Sequence, residues 1–249
     1  MKIEKIKKLK NGKYKLTFDS EETLTTYDDV IINKMLFNGK EVNNQTLSEI
    51  SINNEYYEVY NKIVKMISTK WRSQKEIEIY LDKTELSNEN KEKIINTLLK
   101  NDLLNDLRYA KSYANDAINL SKNGPYKIKE DLLKQGINDN IVEEVIYSLD
   151  EDDINNNLIN IIEKKNRLNN HYSMYQLKIK LNNELVNLGY DKEKINDYLN
   201  KIIKEDENIA KKEYEKLKKK YSKKYSGSEL KYKLKQAMYQ KGFSYSEDE

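Results

Sequence analysis

The chain has 249 residues and a formal net charge of +3, from 45 basic and 42 acidic side chains. It contains no Cys and one His, which excludes a disulfide framework, a zinc-thiolate site and a cysteine nucleophile and leaves little basis for imidazole chemistry. The first ten residues lack the apolar segment of a signal peptide, and no stretch approaches the roughly 18 apolar residues of a membrane span. We therefore expect a soluble, cytoplasmic protein.

Residues 1–50 predict a small α+β unit that begins with a β-hairpin. Residues 13–18 alternate polar and apolar side chains with the period of two that is typical of a strand, and they follow the turn signal Asn11-Gly12. This dipeptide favours a type I′-like turn. Residues 23–27 are a plausible third strand.

A short helix is expected after these strands. Asp28 or Asp29 is its predicted N-cap, Val30 and Leu36 are among its apolar residues, and Gly39 is its predicted end. Such a unit is too small to be very stable alone.

The apolar spacing is helical almost throughout from about Tyr56 to the end. We treat residues 51–249 as one helical domain. One Pro and seven Gly in the whole chain favour long helices. The same three-part pattern recurs about every 50 residues: an amphipathic stretch, a second helix with apolar residues at i and i+4, and a third amphipathic helix. The i and i+4 pairs are Ile77/Leu81, Ile128/Leu132, Leu177/Leu181 and Leu230/Leu234. The predicted first helices cover residues 56–70, 106–120, 154–165 and 209–221.

The pattern predicts four tandem three-helix repeats with defined boundaries. They cover approximately residues 56–103, 104–149, 150–203 and 204–249, and the fourth lacks a third helix. Since one such unit buries little apolar surface, neighbouring repeats must share core. We expect a mainly α fold in which the repeats form an elongated, curved array of about 70–100 Å.

Glycines mark the ends of the second helices. Gly136, Gly189 and Gly242 lie 53 residues apart, and each is followed by a hydrophobic residue, as in a helix end with glycine in the left-handed conformation. Ser73, Ser173 and either Ser226 or Ser228 are predicted N-caps. Gly124 and Pro125 begin the second helix of the second repeat, with Pro at the position where its missing N–H costs least.

The residues that carry chemistry do not assemble into an enzyme signature. The chain has no glycine-rich nucleotide-binding loop. His171 is interpreted as a loop or capping residue. Residues 150–153 are four consecutive acidic residues, but they lack the Gly and distal Glu of a calcium loop and stand at a predicted helix start. We therefore expect no cofactor, and paired carboxylates for acid–base catalysis are the alternative that these residues leave open.

Charge is segregated along the chain. Residues 1–15 hold seven Lys and one Glu, residues 139–163 hold eight acidic side chains and no basic ones, and residues 211–241 hold twelve Lys and three Glu. A stretch of net +9 is the footprint expected for phosphate contact, whereas the acidic segment would be repelled by a polyanion. Solvated helix faces are the alternative interpretation.

The C-terminal segment interleaves lysines with tyrosines. Lysines bind backbone phosphates, and Tyr225, Tyr232 and Tyr239 could stack on unpaired bases. The alternative is that several of these rings pack into the helical core.

Residues 104–137 resemble the signature segment of RecX regulatory proteins. The similarity is carried by Asp106-Leu107-Arg108-Tyr109-Ala110, then Gly124-Pro125, then the stretch from Ile128 to Gly136-Ile137. Ser73–Ile77 and Lys241-Gly242-Phe243 are similar to the first and last repeats of that family. Asp116 departs from the pattern, because a basic residue is frequent there.

This resemblance implies a non-enzymatic modulator of the RecA recombinase. Family members bind along the RecA–single-stranded DNA filament and typically inhibit its ATPase and strand exchange. The resemblance thus implies RecA and single-stranded or double-stranded DNA as partners, and we expect a monomer. The alternatives are a stand-alone nucleic-acid-binding protein that uses residues 211–241 and a helical scaffold for another protein.

Sixteen basic residues are the candidate contacts to DNA or to the filament. They are Arg72, Arg108, Lys122, Lys127, Lys129, Lys134, Lys216, Lys218, Lys219, Lys220, Lys223, Lys224, Lys231, Lys233, Lys235 and Lys241. Tyr225, Tyr232 and Tyr239 are the stacking candidates. Gly124, Pro125, Gly136, Gly189 and Gly242 are predicted structural caps.

Overall fold

A computed structural model describes residues 1–243, which contain three β-strands followed by twelve α-helices. The predicted fold class, mainly α with a small N-terminal β-rich part, is confirmed. The strands are β1 (Ile3–Lys8), β2 (Tyr14–Phe18) and β3 (Thr23–Thr26). The helices are α1 (Asp28–Asn33), α2 (Asn44–Thr69), α3 (Gln74–Leu81), α4 (Asn88–Lys100), α5 (Asp106–Asn119), α6 (Pro125–Lys134), α7 (Asp139–Tyr147), α8 (Glu151–Arg167), α9 (Met174–Asn187), α10 (Lys192–Ile202), α11 (Glu207–Tyr221) and α12 (Gly227–Gln240). The chain divides into two compact units, Met1–Tyr109 and Ala110–Glu249.

The three strands form an antiparallel sheet in the order β1-β2-β3. The β1–β2 register shifts between Ile3, which pairs with Phe18, and Lys5, which pairs with Thr17. This β-bulge at Glu4 changes the alternation, so that both Ile3 and Ile6 point to the packed side although they are three residues apart. The packed side of the sheet contributes Ile3, Leu16 and Phe18 to a core with Val30, Leu36, Val42 and Ile50.

The hairpin turn differs from the predicted type I′-like geometry. Gly12 has φ of 82°, and Asn11 is not among the non-glycine residues with positive φ. The Gly12 N–H donates to the Leu9 carbonyl (3.1 Å), and the Leu9 N–H donates to the Lys13 carbonyl (2.8 Å). The loop therefore has three residues, with Gly12 in the left-handed conformation, because a three-residue loop needs only one such position.

The predicted boundaries of the first two helices are also wrong. Helix α1 has Tyr27 at its N-cap without a side-chain cap bond, and it ends at Asn33 rather than Gly39. Its end is closed by Met35 at φ of 49°. Helix α2 begins at Asn44, twelve residues before the predicted start, because the Asn43 side chain accepts a hydrogen bond from the Thr46 N–H (2.8 Å).

Helices α2 to α10 form three consecutive three-helix sets, and α11 and α12 form a helical pair. The i and i+4 residues that predicted the second helices are buried in α3, α6 and α9, and Leu234 is buried in α12. Ser73 caps α3 in a complete capping box with Glu76, and Ser226 is the N-cap of α12 without a side-chain bond. The predicted lack of a third helix after α12 depends on residues 244–249, which lie outside the described residues.

Three helix ends have the same glycine closure. Gly136, Gly189 and Gly242 have φ of 78°, 84° and 74°. The N–H of the next residue donates back to a carbonyl five residues earlier in each case: Ile137 to Leu132, Tyr190 to Leu185 and Phe243 to Met238, all at 3.1 Å. This is the Schellman arrangement, in which the hydrophobic residue after glycine folds onto the last turn.

In the second unit, the glycine end of one second helix meets the beginning of another. Gly124 and Tyr126 donate backbone N–H bonds to the carbonyls of Leu188 (2.7 Å) and Gly189 (3.0 Å), at the end of α9. The Ser173 hydroxyl, at the start of α9, donates to the Lys241 carbonyl beside Gly242 (2.8 Å). Carbonyls left unpaired at one helix end thus satisfy donors left unpaired at another helix start.

Candidate nucleic-acid interface

Helices α11 and α12 pack on each other through a small apolar core. Ile209, Leu217, Leu234, Ala237, Met238 and Phe243 are buried there, with Tyr214, Tyr221 and Leu230 packed against them. Because these residues occupy the inward stripe of each helix, most of the lysines between them must point outward.

Eight of the candidate lysines in this pair have no acidic partner among the described residues. Within residues 1–243, no carboxylate oxygen lies within 4.0 Å of their ammonium nitrogens, which is the distance limit of an ion pair. We define these residues as the C-terminal lysine patch: Lys218, Lys219, Lys220, Lys223, Lys224, Lys231, Lys233 and Lys235. Lys233 is half-buried and the other seven are exposed. Lys218, Lys219 and Lys220 lie in the last turn of α11, where cations complement the helix dipole.

The candidate lysines of α6 are engaged in ion pairs. Lys127 lies 3.2 Å from Glu130 and 2.9 Å from Asp131. These partners raise the pKa of Lys127 through hydrogen bonds and charge. Lys134 also pairs with Glu130, and Lys129 lies 3.8 Å from Glu143 of α7. Only Lys122 among the predicted contacts of this region has no carboxylate partner within the described residues, and its backbone has φ of 57° after the end of α5.

The two arginines of the candidate set are also paired. Arg72 lies 3.1 Å from Glu76, and its Nε is buried with no hydrogen-bond partner among the described residues. Arg108 forms an ion pair with Asp102, and its guanidinium lies 5.8 Å from the centre of the Trp71 ring. Tyr109 beside it is buried, and burial raises the pKa of its hydroxyl to about 12.

Two of the three stacking candidates are open to solvent. Tyr232 is 65% exposed and Tyr239 is 81% exposed, and their spacing of seven residues places them on one side of α12 with Lys235 between them. Tyr225 is half-buried, with its ring 6.1 Å from that of Tyr221. Its availability to a base is correspondingly smaller.

Sequence reasoning missed a buried carboxylate beneath this surface. Glu213 of α11 is 7% exposed and lies 2.7 Å from Lys241 and 3.6 Å from Lys216. Burial raises its pKa, but the hydrogen bond and charge of Lys241, with the charge of Lys216, outweigh burial and hold the pKa below 4.5. Two of the candidate lysines therefore stabilise the helical pair. A Glu on the apolar stripe of α11, four residues after Ile209 and four before Leu217, was the only signal in the sequence.

The acidic segment has structural partners as well. Asp150 is the N-cap of α8 and accepts from the N–H groups of Asp152 and Asp153, so the acidic run lies at a helix start, as predicted. Glu144 pairs with Lys111 at 3.1 Å. Within residues 1–243, no group of three metal-ligating side chains is assembled, and no helix is long and apolar enough to cross a membrane.

The arrangement on α11 and α12 places exposed tyrosine rings beside lysines that have no ion pair among the described residues. Lysine ammonium groups bind phosphates as mobile positive charges, and tyrosine rings can stack on unpaired bases. The repeated three-helix sets define a helical-repeat protein.

Comparison with known proteins identifies the family. Residues 105–146 match the second three-helix domain of RecX, and residues 205–247 match the third. The regulatory protein RecX of Streptococcus gordonii is 32% identical over 99% of this chain and 96% of its own length. RecX of Lactococcus lactis is 33% identical over 99% of this chain and 95% of its own length. The chain belongs to the RecX family of regulatory proteins.

Solved structures give the same fold. A crystal structure of regulatory protein RecX aligns over 78% of this chain and 96% of its own, with a TM-score of 0.64 at 22% identity. RecX from Lactobacillus salivarius aligns over 60% of this chain and 97% of its own, with a TM-score of 0.54 at 28% identity.

Proposed function

We propose that this protein binds the RecA–single-stranded DNA filament and lowers its rate of ATP hydrolysis and strand exchange. The observation that carries the proposal is the likeness to proteins named regulatory protein RecX over nearly the whole chain. The protein acts by binding and not by catalysis, in line with the regulatory name of its relatives.

The two kinds of charged surface support two kinds of contact in such a filament. The C-terminal lysine patch is suited to the phosphates of DNA, because its lysines have no acidic partner within residues 1–243 to give up. The exposed carboxylates of α7 and α8 would be repelled by DNA, and we assign them to basic surface on the protein part of the filament.

The direct test is a titration of the purified protein into RecA on single-stranded DNA with ATP. We expect the rate of ATP hydrolysis to fall at or below one molecule per RecA subunit. A rate that stays constant over the whole titration would overturn the proposal.

The role of the patch is tested with two triple variants of equal charge. The patch variant is Lys218→Gln/Lys219→Gln/Lys220→Gln, and the matched control is Lys127→Gln/Lys129→Gln/Lys134→Gln. We expect the patch variant to lower the slope of log affinity for single-stranded DNA against log salt by about 2, from about 0.7 per lost phosphate contact. The control should lower it by less than half as much, since its lysines are already paired. Equal effects would show that only net charge matters.

The exposed lysines and tyrosines of α11 and α12 also favour a second candidate, a stand-alone nucleic-acid-binding protein. It predicts tight, salt-dependent DNA binding without RecA and no effect on ATP hydrolysis when DNA is saturating. A chain that ends near Glu205 would lose that binding. Slowed ATP hydrolysis with saturating DNA favours the filament regulator instead.

A further inference from the structure

The sheet of the N-terminal unit has one packed side and one open side, and the open side carries only lysine and threonine at its paired positions. The strand register places Lys5 opposite Thr17 and Thr17 opposite Thr23. It places Lys7 opposite Lys15, and Lys15 opposite Thr25. We call these six residues the open sheet face: Lys5, Lys7, Lys15, Thr17, Thr23 and Thr25.

This face is accessible, and the described residues supply no ion-pair partner for its lysines. Five of the six residues are exposed, and Thr17 is half-buried. Among residues 1–243, no carboxylate forms an ion pair with Lys5, Lys7 or Lys15. By contrast, Lys13, at the hairpin end of the packed side, lies 4.0 Å from Glu58 and over the ring of Tyr27.

The pairing of Lys7 with Lys15 is unfavourable for the sheet itself. Side chains directly opposite each other on neighbouring strands have Cβ atoms about 5 Å apart, and like charges there are destabilising. The sheet forms because its other side buries Ile3, Leu16 and Phe18. An external anion would remove the repulsion between the two ammonium groups.

We propose that the open sheet face binds the phosphodiester backbone of DNA. Alternate residues along a strand are about 6.6 Å apart and neighbouring strands about 4.8 Å apart, so the three lysines offer closely spaced positive charges on one flat surface. The threonine hydroxyls can donate further hydrogen bonds to phosphate oxygens. The proposal does not depend on the C-terminal lysine patch, which lies in the other compact unit.

The composition of the face favours DNA over a protein or a membrane as its partner. A protein interface would be expected to place aromatic or aliphatic side chains at its centre, and the open sheet face has none. A membrane-binding face would be expected to present apolar side chains for insertion, and the six positions supply only threonine methyl groups. Lysine with hydroxyl groups is instead the chemistry of backbone-phosphate contact.

The test uses the full chain and two triple variants that each remove three positive charges. The face variant is Lys5→Thr/Lys7→Thr/Lys15→Thr, in which threonine keeps the strand preference. The control is Lys65→Gln/Lys83→Gln/Lys100→Gln, three exposed lysines of the same compact unit on other elements. Binding of a fluorescent single-stranded 30-mer is measured between low and moderate salt, and the thermal transition of each variant is recorded.

We expect the face variant to lower the slope of log affinity against log salt by about 2, at about 0.7 per phosphate contact. The control should change the slope by less than half of that amount, and the face variant should melt no lower than the parent. Equal slopes for parent and face variant, or equal losses in both variants, would overturn the proposal. If the face variant keeps DNA binding but loses binding to phosphatidylserine vesicles, the face belongs to lipid and the proposal is wrong.

A second measurement does not depend on the variants. Acetylation of lysines, followed by mass spectrometry, reports which ammonium groups DNA covers. DNA should protect Lys5, Lys7 and Lys15 at least three-fold relative to Lys65. Equal modification with and without DNA would contradict the proposal.

Discussion

The close approach of Gly124 to Gly189 makes Gly124→Ala an informative substitution. A Cβ atom at Gly124 would lie 2.4 Å from the Gly189 carbonyl oxygen and 2.6 Å from the Tyr190 nitrogen. Both contacts are with backbone, which cannot rotate away as a side chain can. Placing alanine there requires the end of α9 to separate from the start of α6.

The magnitude follows from three contributions. Gly124 has φ of −84° and ψ of 169°, which alanine adopts without strain, so reduced freedom of the unfolded chain would favour alanine by about 0.4–1 kcal/mol. Overpacking costs about 1–3 kcal/mol. The two backbone hydrogen bonds across the contact, from Gly124 and Tyr126, contribute about 1 kcal/mol each and would weaken. We expect a net destabilisation of roughly 2–4 kcal/mol.

The assay is thermal and urea unfolding followed by far-ultraviolet circular dichroism, with Gly12→Ala as the control. Gly12 has positive φ but open space around it, so alanine there costs about 1–2 kcal/mol from backbone conformation alone. Hydrogen exchange should show faster exchange at the Gly124 and Tyr126 amides in the Gly124 variant only. If Gly124→Ala is no less stable than Gly12→Ala and these amides stay protected, the close contact does not exist.

Three further predictions test other parts of the chain. Gly136→Val should lower the free energy of unfolding by more than 1 kcal/mol, because a β-branched residue fits poorly at φ of 78°. An unchanged melting temperature would show that Gly136 does not form the left-handed end of α6. Glu213 has a folded pKa below 4.5, so its stabilising effect is present above the unfolded pKa and is lost as pH falls through the folded value. The melting temperatures of Glu213→Gln and the parent should therefore differ most at pH 7 and converge as the pH falls below 4.5 through the folded pKa, whereas a constant difference would exclude a charge effect. Tyr232→Ala/Tyr239→Ala should weaken single-stranded DNA binding by about 30-fold or more, from about 1 kcal/mol or more for each of two stacked bases, while Tyr147→Ala on the acidic helix α7 should not. Equal binding by the parent and both variants would exclude stacking.

Local signals predicted the repeats well because each lies within one helix. Apolar residues at i and i+4 predicted α3, α6 and α9, with a serine before α3 and α9 and a glycine after α6 and α9, all within about 15 residues. Helix α2 was predicted twelve residues too short because residues 44–55 are polar and poor in strong helix formers. Its start depends on one side-chain cap, at Asn43.

Contacts between distant parts of the chain could not be predicted in the same way. The glycines were predicted as helix ends, but their contact with another helix was not. The end of α9 accepts hydrogen bonds from the start of α6, and the bonded residues are 64 positions apart (Gly124 and Leu188) and 63 positions apart (Tyr126 and Gly189). No local pattern specifies such a partner. The sequence also did not predict the β-bulge at Glu4, because the spacing of three residues between Ile3 and Ile6 fits a helix as well as a bulged strand.

The same limit explains why counting lysines does not show which of them are engaged in ion pairs. Counting only ion pairs among the described residues, seven of the sixteen basic candidates are paired, and some of the partners lie on another helix, as Glu143 does for Lys129. An exposed ion pair contributes about 0–1 kcal/mol, so a paired lysine can still exchange its carboxylate for a phosphate. The free energy gained by binding the phosphate is then reduced by the free energy of the lost ion pair. Lys241 differs, because moving its ammonium group to a phosphate would leave the buried Glu213 carboxylate without this partner. Removing one partner of a buried ion pair is far more costly than breaking an exposed one. The order of contribution to DNA binding should therefore be the unpaired lysines of the C-terminal patch first, the exposed pairs of α6 second and Lys241 last.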